Sequence, residues 1–258
     1  MNHIDNKQQH PLKIFCISMI LLSGCTQIEK PSASDPWEGV NRDIQEFNDD
    51  LDTAIMRPVA KGYRSITPKL VDTGITHIFS NLKDIGVAVN NGLQAKPKLA
   101  TMDSARFLIN STVGIAGIFD VATPIGLEKH EEDFGQTLAV WNVPKGPYLV
   151  LPFYGPSSAR GLLGRIGDIA LHPLTYVGAL SSSGVGWGMV GVRAIEVIDS
   201  RADLLGLETV VDEAALDRYT FIRSSYQQQR EHLISDGSAK ENLKLDSDIE
   251  DDLYEGLE

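Results

Sequence analysis

The chain has 258 residues, a formal net charge of −12, 42% hydrophobic residues and two cysteines. Acidity on this scale argues against a nucleic-acid partner, which requires a basic face. Once the two ends are set aside, a body of about 200 residues suits one domain.

Residues 1–24 read as a lipoprotein signal peptide. Lys7 and Lys13 give a weakly basic start, and Ile14 to Leu22 is an apolar run of signal-peptide length. It is far shorter than the roughly 20 residues that span a bilayer. It ends in Leu22-Ser23-Gly24-Cys25, where small residues admit a cleavage enzyme and the Cys25 thiol can carry a thioether lipid. Thr26, where an Asp would favour the inner membrane, favours the outer one. Cys16 leaves with the signal and Cys25 is acylated, so cysteine-based metal or redox sites are excluded. Residues 25–34 form a tether and residues 35–234 a helical domain. Residues 235–258, with nine acids against two lysines, are too polar to order themselves.

Within the body, Asp35-Pro36-Trp37-Glu38 announces a helix, with Asp35 as cap, Pro36 in the first turn and Glu38 completing a capping box. Val40, Ile44, Phe47, Leu51 and Ile55 make its apolar face, and Pro58 breaks or kinks it. Further helices are expected from Thr67-Pro68, over Asp84–Leu93 and over Ala100–Thr112, followed by the apolar run Val113–Phe119. A short helix over Glu131–Val140 places Glu131, Glu132 and Asp133 in its first turn, where the dipole favours acids. Tyr148–Tyr154 is uncharged and apolar between Pro/Gly breaks, and is expected to thread the interior with Leu149, Val150, Leu151, Phe153 and Tyr154 buried. Ser157–Leu171 reads as a helix with Gly161, Gly164 and Gly167 on one face, a pattern that admits another backbone closely. A Ser181–Gly184 loop, a Trp187–Ile198 helix and a long Thr209–Leu233 helix complete the body. No alternating strand pair or hairpin signal is visible, so the class is all-α. No segment after the signal has 18 uncharged apolar residues, so no ordinary transmembrane helix is expected.

Catalytic patterns are weak. Gly186-Trp-Gly188-Met-Val-Gly191 matches GxGxxG but follows no strand. Ser157 or Ser158 with His172 and Asp168 lacks a GxSxG elbow, and the serines sit where helix caps belong. His130-Glu131-Glu132-Asp133 lacks HExxH spacing. A glycosidase needs two opposed carboxylates, and only Glu132 or Asp133 offers one. The expectation is no catalytic residue, no metal, no cofactor and no enzyme.

Several blocks together resemble the MlaA/VacJ outer-membrane lipoproteins. They are Asp35-Pro36-x-Glu38-x-x-Asn41-Arg42, Phe47-Asn48, Arg57-Pro58-Val59-Ala60, and Arg106-Phe107-x-x-Asn110 with Gly114, Gly117 and Asp120. Glu132-x-Phe134-Gly135 and Gly146-Pro147-Tyr148-x-x-Leu151-Pro152-Phe153-Tyr154-Gly155 continue the series. The resemblance implies a ring of helices around an amphipathic channel, seated in the inner leaflet of the outer membrane beside a trimeric porin. It implies that phospholipid misplaced in the outer leaflet passes through and reaches a periplasmic lipid-carrier protein, with no bond made or broken. A greasy wall suits the acyl chains and a polar one the headgroup. Small residues such as Gly114, Gly117, Gly161 and Gly164 are expected to leave the lumen open, so that Gly114→Trp blocks passage without loss of localisation. The alternatives are a lipid-anchored porin adaptor without transport, and a periplasmic hydrolase acting on envelope material.

Overall fold

The computed structural model describes residues 35–180, 183–206 and 217–237. The expected signal, tether, most of the acidic tail and positions 209–216 lie outside these residues.

The first helix, α1 (Glu38–Leu51), begins at Trp37, which makes no side-chain cap. The expected capping box is therefore absent, because the Asp35 carboxylate is buried and bonded elsewhere. Pro58 does not end the helix. A π-helical segment (Asp52–Met56) leads directly into α2 (Arg57–Ile66), with Pro58 in its first turn. Widening the turn accommodates a residue with no N–H to donate. Arg201 grips Asp52 in the π segment through two bonds of 2.6 and 2.7 Å.

Lys69–Leu93 is one continuous helix, α3, where two were expected. Nothing near residue 80 breaks it. The apolar periodicity lapses there because the buried face turns polar, with Asn81, Asp84, Asn90, Asn91 and Gln94 all inside. Helix α4 (Pro97–Thr112) folds back against α3. The apolar run after it is a tight turn, with Ile115, Ala116 and Gly117 all at positive φ. A short 3₁₀ turn (Thr123–Ile125) follows. Helix α5 (Phe134–Val140) starts later than expected: Asp133 is its cap, accepting from the Gln136 N–H, and Glu131 and Glu132 precede it.

The central stretch forms a hairpin, the one exception to the helical class among the described residues. Strand β1 (Tyr148–Leu151) pairs antiparallel with β2 (Gly155–Ser158), Tyr148 opposite Ser158 and Leu151 opposite Gly155. Of the residues expected inside, Val150 is buried, Leu149 and Leu151 are half-buried, and Phe153 is 70% and Tyr154 60% exposed, while Tyr148 is buried as well. A tight hairpin end cannot bury its tip. Ser158 caps α6 (Ala159–Leu171), so Ser157 belongs to the strand. Helices α7 (Pro173–Leu180) and α8 (Ser183–Asp203) follow, with Gly184 already helical. After a second 3₁₀ turn (Leu204–Gly206) the chain resumes with α9 (Arg218–Ile234), capped by Asp217.

Packed neighbours form a closed circuit. Helix α1 runs into α2, α2 packs on α8, α8 on α3, and α3 on α5 and α6. Helix α9 joins α5 to β2, and β1 returns to α1. Helix α6 also packs directly on β2, and α7 joins α6 to α8. The buried apolar cluster is small: Tyr148, Val150 and Tyr219, flanked by Ile44 and Tyr226. No described helix is long and apolar enough to cross a membrane.

Candidate functional site

The distribution of polarity is reversed from that of a water-soluble domain. Among the described residues, 29 large hydrophobic side chains are exposed while only eight apolar residues are buried. Leu70, Ile66 and Val113 are among those most open to the surroundings. Monomers in water expose single apolar residues, not this many. The buried side chains are instead mostly polar, and hydrogen bonds compensate them.

Two asparagines on α1 explain the first and the central motif blocks together. Asn41 and Asn48, seven positions apart, lie on one face of α1, two turns from each other. Asn41 donates to the Tyr148 carbonyl at 3.1 Å and accepts the Val150 N–H at 2.8 Å. Asn48 donates to the Leu151 carbonyl at 3.0 Å and accepts the Phe153 N–H at 2.7 Å. Each amide thus takes the place of a neighbouring strand along the open edge of β1. The second bond holds Phe153 at φ +67°, where a bulky residue is strained. Phe47 meets the Phe153 ring edge-on at 5.7 Å.

Asp35 ties this assembly to the last helix. Fully buried, it accepts from Asn41, from the Tyr219 hydroxyl and from Arg223. Arg42 adds a two-pronged bond to Asp217, at 3.2 and 2.7 Å, and lies over the Tyr219 ring. Pro36 and Pro58 are exposed, and Arg57 pairs with Asp52 at 3.5 Å.

A second polar node locks the turn after α4. Asn110 accepts from the N–H groups of Val121 and Ala122 and donates to Asp120. Buried Arg106 reaches Asp120, Thr123 and the Leu127 carbonyl, and lies 3.5 Å from Asp84. Burial raises the Asp120 carboxyl, but the Thr123 and Asn110 bonds and Arg106 outweigh it and hold the group well below the usual range. The glycines here do not open a lumen. A Cβ on Gly114 would lie 2.5 Å from the Asn110 carbonyl oxygen, and one on Gly117 2.7 Å from the Asn81 amide. Gly114→Trp would break this turn, so it cannot report on a passage.

The glycine face of α6 does admit another backbone. A Cβ on Gly164 would sit 2.5 Å from Gly135 of α5, and Gly167 lies under the Phe134 ring. Gly161 faces Ser157 and the Tyr226 hydroxyl. Arg230 grips Asp133 with both its terminal nitrogens. Asp168 accepts the Phe134 N–H at 2.8 Å, and burial pushes its carboxyl up to about 6.

The MlaA lipoprotein family profile matches residues 33–233. The chain belongs to the MlaA family. The intermembrane phospholipid transport system lipoprotein MlaA of Shigella flexneri is 34% identical over 251 residues, 94% of this chain and 96% of its own. Its counterpart in Escherichia coli K12 is 33% identical over the same shares. An uncharacterized protein of Rickettsia felis is 38% identical over 210 residues, 81% of this chain and 79% of its own. A solved structure described as "Structural basis for maintenance of bacterial outer membrane lipid asymmetry" superposes with a TM-score of 0.67 at 33% identity, over 78% of this chain and 99% of that one.

In this MlaA-family chain, the groups that suggested hydrolysis are engaged in structure. Ser158 Oγ accepts the Gly161 N–H, and His172 Nδ1 accepts that of Leu174. Asp168 is taken by Phe134, His130 pairs with Asp103 at 2.8 Å, and Glu132 binds Lys96 at 2.9 Å. Pro152 and Gly155 shape the hairpin end, Gly155 at φ +78°. Cys25 lies outside the described residues.

Proposed function

We propose that this MlaA-family lipoprotein is anchored in the outer membrane through lipid on Cys25, faces the periplasm, and is a passive conduit for phospholipid. Phospholipid misplaced in the outer leaflet enters an amphipathic passage within the ring of helices and leaves to a periplasmic carrier. A trimeric porin holds the ring in place. The reading rests most on the reversed polarity: exposed apolar faces around a hydrogen-bonded polar framework, arranged in a closed circuit. Such a body sits stably in a leaflet without crossing it, because each apolar side chain kept from water gains roughly 1.5–3 kcal/mol. The intermembrane phospholipid transport for which the Shigella and Escherichia relatives are named adds support. No cofactor enters this account, and no bond is made or broken.

A deletion strain tests it. Loss of the protein should raise outer-leaflet phospholipid, measured by labelling intact cells, and sensitise them to detergent with chelator. Restoring the chain should reverse both. Unchanged surface phospholipid would end the transport reading and leave an adaptor.

A further inference from the structure

We infer that Arg165, stacked on the Tyr154 ring, binds the phosphate of a phospholipid whose acyl chains lie over Phe153, Leu162 and Ile166. This rests on the transport reading and names a contact point for the cargo. Leu162, Arg165, Ile166 and Ile169 follow one another at helical spacing on one stripe of α6. The three aliphatic members are exposed. The hairpin tip stands beside the stripe, with the Arg165 guanidinium carbon 4.6 Å from the Tyr154 ring centroid. A lone cation thus sits in an exposed apolar surface.

What makes it a site is the missing counter-charge. Among the described residues Arg165 forms no ion pair, and its Nε–H is buried without an acceptor. Asp168, the one acid of α6, is turned to the Phe134 N–H. A guanidinium is weakly hydrated, stacks on aromatic faces and matches phosphate with a planar fork. The ligand that satisfies both parts is anionic at one end and apolar at the other. Free phosphate would leave the aliphatic stripe bare, and an acyl chain alone would leave the arginine unmet. The hairpin strain has a use here: the Asn48 bond that holds Phe153 in the left-handed region also keeps its ring outside the core.

The test uses the full chain purified in detergent, with labelled phosphatidylethanolamine and with diacylglycerol carrying the same chains. Arg165→Gln should weaken phosphatidylethanolamine binding about ten-fold and leave diacylglycerol binding unchanged. Arg165→Lys should keep most of the preference. Equal phosphatidylethanolamine binding by parent and Arg165→Gln would overturn the assignment while leaving transport intact. An equal loss of both lipids would assign Arg165 to packing, and displacement of the lipid by inorganic phosphate alone would make this a free-anion site. If the parent binds neither lipid, the transport reading falls with it. Should Arg165→Gln melt early, Tyr154→Leu serves instead: it removes the stacking ring, and an unchanged preference for phosphatidylethanolamine would overturn the inference.

Discussion

At the residue scale, the hairpin edge depends on side-chain amides. Asn41→Ala leaves the buried Tyr148 carbonyl and Val150 N–H without their partner. It should cost about 2–4 kcal/mol, read as a lower denaturation midpoint in detergent. Asn41→Asp should be no rescue, because a carboxylate cannot donate to the Tyr148 carbonyl. Asp168 gives a pH signature. Its folded carboxyl is raised from 3.8 to about 6, chiefly by burial. A raised acid stabilises the fold fully below its unfolded value, and that contribution is lost as pH rises through the folded one. Asp168→Asn keeps the acceptor for Phe134 and removes the charge. Its melting temperature should therefore exceed that of the parent at pH 8, with the gain gone at pH 4. A constant gain across that range would show that ionisation of Asp168 is irrelevant.

At the scale of elements, the α5–α6 seam pits two effects against each other. Gly164→Ala improves helix propensity by about 1 kcal/mol. It also places a Cβ 2.5 Å from the Gly135 backbone, which has no flexible atom to yield. Overpacking typically costs about 1–3 kcal/mol, so the melting temperature should fall. The glycine repeat was legible in the sequence because spacing alone reveals it. The hairpin was not, because one of its two left-handed positions is filled by Phe153, and Pro156 sits within a strand. Helix α3 read as two for a related reason. Periodicity assumes an apolar inner face, and here Asn81, Asp84 and Asn91 occupy it. Asp35, placed by sequence as a cap, serves as a buried acceptor for partners 184 and 188 positions away, which no local pattern reveals.

For the whole molecule, the exposed apolar surface should hold the chain to a membrane even without the proposed lipid on Cys25. A chain beginning at Thr26, made without signal or lipid, should still sediment with phospholipid vesicles. Full recovery in the supernatant would show that the apolar faces do not meet a bilayer. The helical class and the order of most elements were readable in advance, since amphipathic spacing and Pro/Gly punctuation are local. The closed circuit was not, because closure depends on long-range pairs such as Arg42 with Asp217 and Arg201 with Asp52.

The widened turn between α1 and α2 fixes an angular phase. In an α-helix each residue advances the face by about 100°, so the residue accommodated at Asp52–Met56 sets which side of α2 meets α8. Deleting a single residue there would restore a regular helix and rotate everything beyond it by roughly that amount. Pro58, Tyr63 and the Asp199 bond would then face the wrong way, so the two halves of this long rod are keyed to each other by one irregular turn.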